Sequence, residues 1–211
     1  GAGAPLGIRG NSAFSPRVIR PSMLRPEWAV RTLLNGGSRC RNMEPYAKND
    51  GKMVITKFIG DQLNGSLEWD YLAEIRSLWE GEIYLKGVLH GQDAARAIKL
   101  GVNGIAVSNH GGRQLDAAPP PLAQLSAIRA AVGKDVPLIV DSGIMSGLDV
   151  VRVLAAGADF ALIGRGFMSA VAALGNKGGE HAAPILLEEV RDVMAPLGLQ
   201  TLDEVKRLGR G

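Results

Sequence analysis

The chain has 211 residues, 46% of them hydrophobic and 21% charged, a globular composition with length enough for a sizeable core. Its 24 lysines and arginines against 21 acidic residues leave a net charge of +3, too small an excess to argue for a nucleic-acid partner despite a pI near 9.2. The single cysteine, Cys40, excludes an internal disulfide framework and a cysteine-built zinc site, and no apolar run approaches the roughly 20 residues needed to span a bilayer.

The opening Gly1-Ala2-Gly3-Ala4 has neither an initiator methionine nor the charged-then-apolar layout of a signal peptide. The chain is therefore expected to begin partway through a longer polypeptide, or to be processed. Residues 1–65 are irregular and rich in Gly, Pro, Arg and Asn, whereas residues 66–211 alternate short apolar runs with amphipathic stretches.

In that second region, Leu67, Tyr71, Leu72, Ile75, Leu78 and Trp79 fall at helical spacing, with Ser66 as N-cap and Gly81 ending the helix. Ile83–Val88 reads as a strand, Gln92–Leu100 as a helix closed by Gly101, and Gly104–Ser108 as a second strand. After a long loop come a helix over Leu122–Val132 and a strand over Val136–Asp141. A helix over Leu148–Ala156 stops at Gly157, and Phe160–Ile163 is a fourth strand. Met168 onward is helical, and Ala183–Leu197 makes a last amphipathic helix. Short apolar strands separated by helices signify parallel βα units buried on both faces. A closed (β/α)8 barrel needs eight strands, so four imply either that others are supplied from elsewhere or that the sheet is open.

Each strand ends in polar or glycine-rich residues, where both barrels and open α/β sheets place their chemistry. The last two strands run into Asp141-Ser142-Gly143-Ile144 and Ile163-Gly164-Arg165-Gly166. Glycines there let backbone approach an anion, and Arg165 can add a bidentate contact, as in the phosphate sites of many barrels. The competing reading is a pair of tight turns. The second strand runs into Ser108-Asn109-His110-Gly111-Gly112-Arg113-Gln114-Leu115-Asp116, setting an imidazole and a guanidinium three residues apart on a glycine-hinged loop. His110 there suits a general base, and Arg113 a fork for a substrate carboxylate. Lys86, the only charged residue in the first strand, needs an anionic partner at a barrel mouth. An anionic reduced flavin is one such partner. His90 and His181 read as surface or helix-end residues.

Together, Leu85-Lys86-Gly87-Val88, the run Ser108 to Asp116, Asp141-Ser142-Gly143-Ile144 and Ile163-Gly164-Arg165 resemble, in order and spacing, the FMN-dependent 2-hydroxy-acid dehydrogenases. That family includes lactate and mandelate dehydrogenases, glycolate oxidase and flavocytochrome b2, and the likeness runs from about Ser15 to Leu202. It implies an α/β fold, a (β/α)8 TIM barrel of which this chain supplies roughly strands five to eight. It also implies FMN as cofactor and oxidation of an L-2-hydroxy acid to the 2-oxo acid, with quinone, cytochrome or oxygen as electron acceptor. By that resemblance Lys86 contacts the flavin and stabilises its reduced form, His110 takes the substrate proton, and Arg113 binds the substrate carboxylate. Ser108 touches the flavin, and Asp141, Gly143, Gly164 and Arg165 surround its ribityl chain and phosphate.

Two departures from the family stand out. Met145 occupies the position after Ser142-Gly143-Ile144 where the family has a phosphate-gripping arginine. The family's first four strands, with two substrate-side tyrosines and the aspartate that pairs with the histidine, have no counterpart here, so a complete site requires that N-terminal half. The stretch Arg25 to Arg31 resembles the membrane-docking insertion of the mandelate dehydrogenases. Trp28, Val30, Leu33 and Leu34 among Arg20, Arg25, Arg31 and Arg39 fit a cationic interfacial patch, against the simpler reading of a helix packed on the barrel. The expected setting is the cytoplasm or the cytoplasmic face of the inner membrane, and the expected assembly is a homo-oligomer. The rivals are another FMN- or phosphate-binding barrel enzyme and a non-catalytic barrel fragment.

Overall fold

A computed structural model describes Leu24, residues 26–35 and residues 67–208, in two compact units divided after Leu67. In the first unit, helix α1 (Pro26–Asn35) opens on a proline, whose fixed φ suits the first helical position. Val30, Leu33 and Leu34 lie on one face and are 53%, 82% and 80% exposed. Glu27 pairs with Arg31 one turn on, at 2.9 Å. The side chain of Trp28 lies outside the described residues, as do Arg20, Arg25, Arg39, Cys40 and Ser66.

The second unit runs α2 (Trp69–Leu78), β1 (Tyr84–Val88), α3 (Gly91–Lys99), β2 (Gly104–Val107), α4 (Pro121–Val132), β3 (Leu138–Val140), α5 (Gly147–Ala155), β4 (Phe160–Ala161), α6 (Arg165–Leu174), α7 (Gly178–Met194) and α8 (Leu202–Leu208). Most boundaries fall within a few residues of the sequence expectation. The last two long helices start earlier than expected, at Arg165 and Gly178. Gly178 is in the helix because it packs on α6: a Cβ there would sit 2.4 Å from the Ala170 carbonyl carbon. The N-terminal end of β3 is pinned by Arg129 of α4. Its guanidinium meets Asp159 at 2.6 Å and donates to the carbonyls of Gly133, Val136 and Gly157. The same Asp159 oxygen accepts the Leu138 amide at 2.8 Å.

The four strands lie in sequential order and all pair parallel. Register assigns the faces, because partners across a parallel ladder share one. Leu85, Ile105 and Leu138 form one row and Val88, Val107 and Val140 another, and both rows bury against the helices with Leu125, Ile128, Val151 and Leu154. Between them β1 slips register at Gly87, whose φ is +96°. Lys86 lies on the opposite face by ordinary alternation, in a row with Ala106, Ile139 and Phe160, and the bulge returns Val88 to the face of Leu85.

This second face is open among the described residues. Phe160 is 60% exposed, Leu162 48% and Tyr84 42%. No described strand pairs with the outer edge of β1 or of β4. Parallel sheets are covered on both faces and barrels have no edges, so this architecture is the half of a (β/α)8 barrel expected from the sequence.

Candidate active site at the carboxyl ends of the strands

The C-terminal ends of β1, β2 and β3 converge through a closed ring of polar contacts. Lys86 meets the Asp141 carboxylate at 2.7 Å and donates to Ser108 Oγ at 2.9 Å. Ser108 is fully buried, and its oxygen also accepts the His110 amide at 3.0 Å. Ser142 Oγ donates to the other Asp141 oxygen at 2.7 Å and accepts the Gly111 amide at 2.9 Å. The backbone from Gly111 to His110 closes the circle. Sequence reasoning assigned Lys86 a flavin as its anionic partner; the chain itself supplies one in Asp141, from two strands away. Burial alone raises the Asp141 pKa. Hydrogen bonds from Lys86, Ser108 and Ser142, with the lysine's charge, outweigh it and hold the carboxyl below its usual range.

The loop after β2 is built from unusual backbone. His110, Gly111 and Gly112 have φ of 56°, 68° and 73°. Glycine adopts such angles freely and histidine does not. Asn109 caps the turn, its side-chain oxygen accepting the Gly112 amide at 3.2 Å. His110 lies over Gly87, where a Cβ would come 2.9 Å from the imidazole Cε1; the bulged glycine makes room for the ring. Arg113 is exposed, and its side chain has no ion pair or hydrogen bond among the described residues. Arg165 crosses from the loop after β4, with Nη2 3.6 Å from where a Gly111 Cβ would stand.

Helix N-termini attract anions, and the two on the last loops differ. At α5 the chain's own carboxylates occupy the donors. Asp149 accepts from the amides of Met145 and Ser146, and Glu189 from that of Gly147. These contacts hold the Asp149 carboxyl below its ordinary pKa, against the opposing effect of burial. At α6, Gly164 offers no side-chain cap, and nothing lies within 4 Å of a Cβ built on Gly164 or on Gly143. Met145 is 48% exposed, and its backbone carbonyl lies 4.0 Å from where a Gly166 Cβ would stand. Open space at Gly143 and Gly164, an uncapped helix start and the exposed Arg165 guanidinium fit a phosphate group.

The structure thus brings Lys86, Ser108, Asp141, His110 and Arg165 together and leaves Arg113 reaching out from the same loop. His90 is a helix end, its Nδ1 accepting the Gln92 amide at 3.3 Å, and His181 is exposed on α7. Sequence reasoning missed Ser142 and Asn109. A non-glycine residue next to a glycine at a strand end was the available signal for the first, and the spacing Asn109-x-x-Gly112 for the second.

Residues 5–208 match the FMN-dependent dehydrogenase family. An L-lactate dehydrogenase of Bartonella tribocorum is 45% identical over 206 residues, covering 96% of this chain and 53% of that protein. Among solved structures, the monotopic membrane protein (S)-mandelate dehydrogenase is similar at a TM-score of 0.83 and 30% identity, over 90% of this chain and 50% of the other. A mandelate oxidase bound to (S)-2-phenylpropionate is similar at 0.65 and 37%, over 81% and 50%. The chain spans about half the length of the curated relatives it matches.

Proposed function

From the premise that this chain belongs to the FMN-dependent dehydrogenase family, we propose that it supplies the base and the substrate-binding arginine of an enzyme that oxidises an L-2-hydroxy acid to the 2-oxo acid. The observation that carries the reading is the convergence of Lys86, His110 and Arg165 on one mouth, with Arg113 exposed on the same loop. Arg113 binds the substrate carboxylate in a bidentate fork, which fixes the neighbouring carbon. His110 takes the hydroxyl proton onto its imidazole as that carbon is oxidised. FMN, when bound, supplies the acceptor for the two electrons that leave the carbon. Gly143, Gly164 and Arg165 would hold its phosphate, Ser108 and Asp141 would contact it, and Lys86 would stabilise its reduced form.

Further βα units would cover the open face and pair with the free edges of β1 and β4. The exposed row Val30, Leu33 and Leu34 on α1 docks peripherally at a membrane surface. The similarity to a monotopic mandelate dehydrogenase supports this placement.

The test is the visible spectrum of the FMN-loaded holoenzyme before and after anaerobic addition of L-lactate or (S)-mandelate. Bleaching of the flavin bands is expected, and the faster substrate identifies the specificity. A flavin that stays oxidised with both, and with other L-2-hydroxy acids, removes this assignment.

A further inference from the structure

We propose that Ser142 is a positioning residue for the reacting loop: its hydroxyl links the Asp141 carboxylate to the Gly111 amide and so sets the pose of His110 and Arg113. The inference rests on the oxidation reading above and adds to it a residue outside the expected cofactor and substrate contacts.

Three hydrogen bonds hold the loop's successive amides. His110 N–H goes to Ser108 Oγ, Gly111 N–H to Ser142 Oγ and Gly112 N–H to Asn109 Oδ1. The first and third acceptors lie two and three residues upstream, at the end of the strand that carries the loop. They shape the turn but do not orient it against the rest of the mouth. Ser142 lies 31 residues away on the next strand's end, so its bond alone of the three ties the loop to a different part of the sheet.

The loop needs such a tie. Two consecutive glycines give it little preference for one conformation, and His110 is held at a φ it does not favour. Gly111 is the pivot, with His110 one residue before it and Arg113 two after. A tilt there moves base and fork together.

Ser142 itself sits at φ +74°, where glycine would be unstrained. A serine held in that conformation is offset by what its hydroxyl does. With its proton given to Asp141 at 2.7 Å, its lone pairs face Gly111. The carboxylate orients the hydroxyl, and the hydroxyl orients the loop.

The substitution Ser142→Gly separates positioning from folding, because it removes the hydroxyl while relieving the backbone. In the FMN-loaded holoenzyme, the Gly111 amide should exchange with solvent at least about tenfold faster, and flavin reduction at saturating substrate should slow by about tenfold. FMN affinity should stay within about twofold and the melting temperature should not fall. Ser142→Ala, which keeps the Cβ, should show the same two kinetic losses with a lower melting temperature. Unchanged exchange overturns the proposal, as does faster exchange with an unchanged reduction rate. Loss of rate that merely follows loss of FMN or of melting temperature in Ser142→Gly also overturns it, since the serine is then structural. A wild-type holoenzyme whose flavin no 2-hydroxy acid reduces sinks the oxidation reading, and with it Ser142's catalytic role; the exchange comparison then judges the loop tie alone.

Discussion

The sheet carries an arginine–aspartate pair at one end and a lysine–aspartate pair at the other, and the two use similar contacts for opposite ends. Arg129 and Asp159 meet at 2.6 Å with side chains 10% and 18% exposed, and the guanidinium is spent on three carbonyls besides. Lys86 and Asp141 meet at 2.7 Å, but Lys86 is 45% exposed, and His110 and Arg113 on the following loop are exposed as well. A saturated, enclosed pair fixes the chain. A pair of equal length whose surroundings keep donors in reserve can receive a ligand. Charge alone does not mark a site; what matters is whether its hydrogen-bonding capacity is exhausted within the fold.

That contrast can be broken or sharpened by substitution. His110→Ala should slow flavin reduction by about 10²–10⁴-fold while leaving FMN bound, measured by anaerobic stopped-flow; an undiminished rate would remove the imidazole from the proposed chemistry. Arg129→Ala, at the enclosed end, should lower stability by about 3 kcal/mol in urea unfolding, because it takes the cation from a largely buried Asp159 carboxylate. A loss there under about 0.5 kcal/mol, the range of ordinary surface changes, would erase the distinction between the two ends. Met145→Arg adds a cation beside the uncapped start of α6 and should tighten FMN by about 1.5–3 kcal/mol, tenfold or more in Kd by fluorescence titration. The smallest effect is with acid. The folded pKa of Asp141 lies below its unfolded value, so its stabilisation is fully present above the ordinary carboxylate range. It is lost as pH falls through the lowered folded pKa. Asp141→Asn should flatten the acid limb of the stability curve, and Lys86→Met should flatten it too, because losing the lysine narrows the gap between folded and unfolded pKa.

Much of this is legible in the sequence. Alternating apolar runs announce parallel βα units, and polar residues at each strand end mark where such a sheet can place chemistry. The glycine pairs around His110 and at Gly143 and Gly164 marked backbone that must turn sharply or meet a ligand. What stayed hidden depended on pairing across the sheet. Lys86 and Asp141 are 55 positions apart in the chain, and only the register of β1, β2 and β3 makes them neighbours. The partner of Ser142 stays hidden for the same reason: the amide it accepts belongs to a different loop. Helix starts such as Gly178 were misjudged because glycine weakens a helix locally, while the close approach of α6 requires it there.

The register slip at Gly87 has a consequence of its own. Without it, Lys86 and Val88 would point to the same side of the sheet. With it, one faces the mouth and the other faces the core. The strand therefore runs in two phases, one counted from the helices and one from the reacting face. Substitutions that repack Val88 against its helical neighbours leave the reach of Lys86 untouched, and changes around Lys86 leave the packing intact. A single inserted residue thus lets a strand of five residues serve the helical core with one side chain and the mouth with another two positions away.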